Sequence, residues 1–250
     1  LLPRLTLEEK VIQLSDSWGS KGIARLKIPA MLKTEGLHGQ SYATGSTIFP
    51  HGINMGSTFD TELIQEVGKA TAIEAKAANL RVSWSPVLDV ARDARWGRVE
   101  ETYGEDPFLS GVMGTAFVKG LQGEDPRYLK IVSTPKHFVA NNEEHNRFIC
   151  NPQISEKQLR EYYFPAFEMC VKKGKAASIM TAYNALNDVP CTLNAWLLQK
   201  VLRQDWGFRG YVVSDCGGPS LLVNAHKYVK TKETAATLSI KAGLDLECGD

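Results

Sequence analysis

The sequence predicts an α/β fold of the (β/α)8 TIM-barrel type, incomplete at its C-terminal end. Three observations carry this. Short apolar, β-branched runs alternate with helix-length segments, the pattern of right-handed βαβ units around a parallel sheet. About six such strands recur at regular spacing with no GxGxxG, which favours a barrel over a doubly wound nucleotide fold. Polar residues collect just after the strands, where a barrel places its mouth.

The elements follow in order. Thr6-Leu7-Glu8-Glu9 is a capping-box-like start to a helix reaching about Leu14. Residues 28–33 form a first strand, ending in Thr34-Glu35-Gly36-Leu37-His38-Gly39. Residues 57–79 are helical, with Asp60 near the start and an Ala-rich body. A second strand over 82–87 runs into a polar loop, and 106–121 is a helix after the turn Gly104-Glu105-Asp106-Pro107. The third strand, 130–134, leads to Pro135-Lys136-His137-Phe138. Ser155 and Gln158 form a second capping box, opening a helix to Lys173. A fourth strand, 177–181, precedes Tyr183, and 194–205 is helical. Residues 211–213 form a strand that stops at Ser214-Asp215-Cys216-Gly217-Gly218 and is followed by helix to about Ala242. Residues 243–247 read as a last strand, and the chain stops three residues later. A complete barrel would add a helix there. The expectation is therefore one truncated barrel domain over residues 1–250 of a longer protein.

The bulk composition excludes several classes. Hydrophobic content of 43% and charged content of 23% are ordinary for a globular domain. A net charge of +1 without a Lys/Arg run gives no reason to expect a nucleic-acid partner. No apolar run approaches the ~18 residues of a membrane-spanning helix. The start Leu1-Leu2-Pro3-Arg4 lacks Met and a signal peptide, so it reads as trimmed and leaves the compartment unwritten. The five cysteines match no zinc spacing.

Chemistry-bearing residues fall in the post-strand loops: Glu35 and His38, Asp89 to Arg98, Lys136 and His137, Tyr183, and Asp215. One such residue alone reads as a helix cap or a solvated loop charge, and Asp215 could cap the helix that follows it. Loops converging on one mouth make a cleft. Arg, Asp and Trp96 between 85 and 98 suit sugar hydroxyls and a pyranose face, with a core anchor as the other reading of Trp96. Lys136 as a Schiff-base amine is disfavoured by the carboxylates around it. Asn141-Asn142-Glu143-Glu144-His145 lacks the i,i+4 His spacing of a metal site and reads as a hydrated rim.

The loop Arg95-Trp96-Gly97-Arg98, the turn at Gly104 to Pro107, the pair Lys136-His137 and the element Ser214-Asp215 occur together and in this order. With them the chain resembles glycoside hydrolase family 3 over essentially its whole length. It is most similar to the β-xylosidase-like branch, because Glu35 and Cys216 stand where the family's β-glucosidases usually have Asp and Trp. The resemblance implies a retaining, exo-acting β-glycosidase, a β-xylosidase first and a β-glucosidase as the alternative. Asp215 would be the nucleophile, ionised and therefore placed beside cations or hydrogen-bond donors. Lys136, His137 and Arg98 would grip sugar hydroxyls, Glu35 would accept from the far one, and Tyr183 would orient the nucleophile. Asp89 is a further candidate for the same subsite. In this family the acid/base residue normally comes from a following domain. Neither Asp245 nor Glu247 is assigned to that role, and the chain alone could be a sugar-binding fragment without turnover. No cofactor or metal is implied, the partners are small β-linked oligosaccharides or glycosides, and the location implied is secreted or periplasmic. Cys216 and Cys248 would both lie at the mouth. Related xylosidase-like members look able to bridge them, and two buried thiols are the other outcome.

Overall fold

The computed structural model describes residues 1–15, 19–42, 44–125 and 127–249. From the N-terminus its elements are α1 (Leu7–Ile12), β1 (Gly19–Ser20), β2 (Met31–Glu35), α2 (Gly52–Gly56), α3 (Thr61–Ala77), β3 (Val82–Trp84), α4 (Pro107–Gln122) and β4 (Val132–Ser133). Then come α5 (Glu156–Gln158), α6 (Pro165–Lys172), β5 (Ser178–Thr181), β6 (Ala185–Leu186), β7 (Val189–Pro190), β8 (Tyr211–Ser214), α7 (Gly218–Asn224) and α8 (Lys232–Ala242).

Local chemistry sets the helix starts. Thr6 and Glu9 close the predicted capping box on α1, and Ser155 and Gln158 close the second on α5. The Asp60 carboxylate accepts the N–H groups of Glu62 and Leu63, so α3 begins at Thr61 rather than at 57. Asp106 caps α4, with Pro107 in the first turn, where its missing N–H costs nothing. The helix expected over 155–173 is interrupted. Leu159–Tyr163 takes a wider π-helical turn before α6, at the point where Pro165 removes a backbone donor. Trp196–Asp205 is also π-helical.

The strands form two groups. In the first the order is β1-β2-β3-β4, with β1 antiparallel to β2 and the others parallel. In the second β5 pairs in parallel with β8. Single parallel bridges extend the series: Val87 with Lys136 prolongs the β3–β4 pairing, Phe138 with Thr181 joins the two groups, and Val213 with Leu246 adds the C-terminal segment to β8. The parallel direction therefore runs from β2 through β3, the β4 extension, β5 and β8 to Leu246. No continuous ladder closes this series among the described residues, and β1 breaks the all-parallel expectation. The strand expected over 243–247 is reduced to bridges. The Asp245 carboxylate itself accepts the Val212 N–H at 2.8 Å, occupying a donor that a longer ladder would use. β6 and β7 make a separate hairpin.

Strands β3 and β5 are buried on both faces. Outside them lies an aromatic core. The Phe138 ring packs against Phe164, Phe167 and Trp206 at centroid distances of 5.9, 5.2 and 5.5 Å. Helices α3 and α4 approach closely because Gly68 and Gly120 face one another. A Cβ on Gly120 would lie 2.2 Å from the Gln65 carbonyl oxygen.

Candidate active site

Apart from Arg98, each candidate side chain leaves the sheet at the C-terminal end of a strand. Glu35 ends β2, Asp89 follows β3, Lys136 and His137 follow β4, Tyr183 follows β5, and Asp215 follows β8. Parallel strands share one direction, so their carboxyl ends share one side of the sheet.

Asp215 does not cap the helix after it. Gly217, with φ +73°, is the N-cap of α7, and the Asp215 Oδ1 accepts the Cys216 N–H at 2.8 Å. Its Oδ2 lies 3.7 Å from His137 Nε2, and its side chain keeps 13% exposure, enough to meet a ligand. The Tyr183 hydroxyl donates to the Cys216 carbonyl at 2.9 Å and lies against the Asp215 carboxylate. Burial raises the Asp215 carboxyl above its ordinary 3.8; Lys136, the Cys216 N–H, the Tyr183 hydroxyl and Arg98 pull it back without cancelling the rise. The cationic and donating neighbours expected of an ionised nucleophile are present, but burial outweighs them.

Lys136 is 4% exposed, and its Nζ donates to Glu35 Oε2 at 2.7 Å. An ion-paired lysine is the opposite of the isolated, desolvated amine that Schiff-base chemistry needs. Glu35 keeps 31% exposure, so part of its carboxylate faces the mouth. His137 is held from behind: Asp89 Oδ2 lies 2.7 Å from Nδ1 and accepts the His137 backbone N–H at 3.2 Å. Burial, then the charges of Lys136, Arg98 and Arg147, push the imidazole well below its ordinary value, so it is neutral. Burial pushes the Asp89 carboxyl up to about 8, against the charge of Arg98 and the His137 N–H. Arg98 forks onto Glu101 at 2.9 and 2.7 Å, which leaves three further N–H donors on the guanidinium. Burial works against the Arg98 charge, but the hydrogen bonds and charge of Glu101 outweigh it and raise its pKa.

Arg147 was not singled out in the sequence and belongs here. Its guanidinium sits 5.0 Å from the Tyr183 ring and pairs with Glu144 at 2.8 Å. The only sequence signal was an Arg three residues after a Glu in a polar loop. The Asn142 to His145 loop lines a cleft of about 540 Å³ with Asp93, Arg95, Trp96 and Gly97. No group of three metal-ligating side chains occurs among the described residues. Trp96 is 6% exposed, so it anchors its loop rather than offering an open platform. Asp245 is bound by Arg203 at 2.5 Å and by the Val212 N–H. Cys216 and Cys248 form a disulfide with Cα atoms 4.3 Å apart, tying the Asp215 loop to the C-terminal segment.

The model of the glycosyl hydrolase family 3 N-terminal domain matches residues 7–249, and the chain belongs to that family. It is 40% identical to a β-xylosidase of Formosa agariphila over 99% of the chain, and 39% identical to β-D-xylosidase 3 of Arabidopsis thaliana over 99%. Among solved structures it is similar to a family 3 exo-β-xylosidase, XlnD, in complex with a xylobiose aziridine probe, with a TM-score of 0.92, 33% identity and 99% coverage. It is also similar to the Bifidobacterium adolescentis family 3 β-glucosidase, with a TM-score of 0.88, 36% identity and 99% coverage. The chain spans 35% of the length of each of the two xylosidase sequences and of XlnD, and 34% of the glucosidase.

Proposed function

We propose that this chain carries the nucleophile and most of the glycone site of a retaining, exo-acting β-glycosidase acting on β-xylosides. One observation carries the reading. A family 3 chain places the Asp215 carboxylate beside Tyr183 and His137 at the mouth, within the field of Lys136 and Arg98. Asp215 would attack the anomeric carbon and form a covalent glycosyl-enzyme while the aglycone leaves; water would then release the sugar. Lys136, His137, Arg98, Glu35 and Arg147 would bind the glycone hydroxyls, and Tyr183 would orient the nucleophile. The parallel run from β2 to Leu246 supports reading the fold as a (β/α)8-type barrel. Residues 1–250 would be the first domain of a longer polypeptide whose later part supplies the acid/base carboxyl, because retention needs a second carboxyl ~5–5.5 Å from the first. Xylosides rather than glucosides are supported by Glu35 and by the xylosidases at up to 40% identity. The Cys216–Cys248 bridge supports a secreted or periplasmic location, where disulfides persist.

The test is a 2-fluoro-xyloside with a good leaving group, incubated with the full-length polypeptide. A covalent xylosyl mass on the peptide containing Asp215 is expected. Time-dependent inactivation with the label on another carboxylate would overturn the assignment, and reversible binding without an adduct would favour a sugar-binding role.

A further inference from the structure

We propose that Asp89 is a positioning residue: it holds the His137 imidazole so that Nε2 faces Asp215, and it does not itself touch the sugar. The proposal gives a role to a buried carboxylate whose position in the sequence suggests direct binding.

The geometry is specific. The Asp89 side chain is 0% exposed, whereas Asp215 keeps 13% and Glu35 31%. A ligand entering the mouth meets Asp215 and Glu35 but cannot reach Asp89 without displacing His137. The Asp89 contacts to His137 run through one oxygen. Oδ2 lies 2.7 Å from His137 Nδ1 and accepts the His137 backbone N–H at 3.2 Å. Oδ1 is buried and has no hydrogen-bond partner. Backbone and ring of the same residue are thus both pinned by one atom. This fixes the imidazole position and its rotation, leaving Nε2 pointed the other way, 3.7 Å from Asp215 Oδ2.

Asn141 completes the clamp. Its Nδ2 lies 3.3 Å from Nδ1, and its Oδ1 is buried without a partner. Exchanging the amide oxygen and nitrogen would aim that orphan acceptor at Nδ1, where it would share the single imidazole N–H with Asp89 Oδ2. A buried, neutral imidazole needs such a partner, because a ring free to rotate would present either nitrogen, or carbon, to the ligand.

What matters at position 89 on this account is an acceptor in the place of Oδ2, not the negative charge. An asparagine keeps that acceptor, and its NH2 takes the place of Oδ1, where no bond is lost. A leucine keeps the bulk and removes the acceptor.

The kinetic part of the test rests on the glycosidase reading; the spectroscopic part does not. In the full-length polypeptide, Asp89→Leu is expected to lower kcat/KM about 100-fold, the scale of misplacing a reacting or binding group by about 1 Å. Asp89→Asn should stay within roughly tenfold of the parent, the difference between a charged and a neutral hydrogen bond. In a His137→Ala background, Asp89→Leu should cost less than about threefold, because a residue acting through another has nothing left to act on. Independently of turnover, the 15N resonances of the His137 side chain report its tautomer. With Asp89→Asn the amide oxygen can only accept, so Nδ1 should stay protonated. With Asp89→Leu the two tautomers should mix, and circular dichroism checks that this variant folds. Should Asp89→Leu not fold, the Asp89→Asn spectrum and kinetics decide. The proposal is overturned if Asp89→Asn loses as much activity as Lys136→Ala, if the losses add in the His137→Ala background, or if His137 Nδ1 is unprotonated in Asp89→Asn. An inactive parent with the expected His137 spectra would defeat the glycosidase reading and leave the positioning role standing.

Discussion

Replacing Glu35 by aspartate separates two jobs that one carboxylate performs. Glu35 Oε2 accepts from Lys136 Nζ at 2.7 Å, and its side chain keeps 31% exposure. Shortening the arm by one methylene withdraws the carboxylate by about 1.5 Å. The Lys136 contact then lengthens to about 4.2 Å, beyond hydrogen-bond range. Lys136 is 4% exposed and cannot recover the lost partner from bulk water. Losing a hydrogen bond between charged groups costs about 1.5–3 kcal/mol, roughly 10- to 150-fold in rate if it is made in the transition state. Xylosides should therefore fall by at least about tenfold in kcat/KM. Glucosides should fall less, because the retreating carboxylate vacates the space their C6 hydroxymethyl needs. The parent should prefer aryl β-xylosides over aryl β-glucosides by at least about tenfold, and the variant should narrow that ratio. The assay is kcat/KM for both aryl glycosides on both full-length proteins under one condition. A parent without preference, or a variant that loses both substrates equally, would refute the reasoning and promote the β-glucosidase reading.

Four further outcomes are expected. Asp215→Asn should leave glycone binding largely intact while lowering turnover by more than about a thousandfold, and a rate above about a tenth of the parent would sink the nucleophile assignment. The acid limb of kcat/KM should lie above the ordinary Asp value of 3.8, since burial raises the carboxyl and activity is lost as pH falls through the raised value. Lys136→Met removes a charge that lowers it, so the limb should move further up; a limb at or below 3.8, or a downward shift, contradicts the electrostatics. Opening the Cys216–Cys248 bridge by double serine substitution should cost about 2–4 kcal/mol in denaturant unfolding, from a cross-link whose ends are 32 residues apart, and an unchanged midpoint would show that the tether is not stabilising. Phe138→Ala should cost about 3–5 kcal/mol, because its ring is fully buried among Phe164, Phe167 and Trp206. A loss under about 1 kcal/mol would mean the aromatic cluster re-forms without it.

The sequence by itself determined what depends on neighbours within a few residues. The capping boxes at Thr6 and Ser155, the start of α4 after Asp106 and the apolar cores of β5 and β8 were legible, because caps and strand patterns are short-range chemistry. The placement of Glu35, Lys136, Tyr183 and Asp215 just after strands was legible for the same reason, and with the motif order it pointed to the family. Only the tertiary structure decided the pairings. Lys136 meets Glu35 across 101 positions and Asp89 meets His137 across 48, and no local pattern encodes which loop ends touch. The same holds for the bridge between Cys216 and Cys248 and for Arg147 over the Tyr183 ring. The π-helical turns at Leu159–Tyr163 and Trp196–Asp205 also escaped the sequence, since a 3.6-residue periodicity does not distinguish them from ordinary helix. Charge state was decided last. Asp215 and Asp89 have the same side chain and both rise through burial, but one keeps an opening to the mouth and the other is sealed behind His137. Solvent exclusion and facing charges arise only when distant strands assemble, and they separate an open carboxylate from a sealed one.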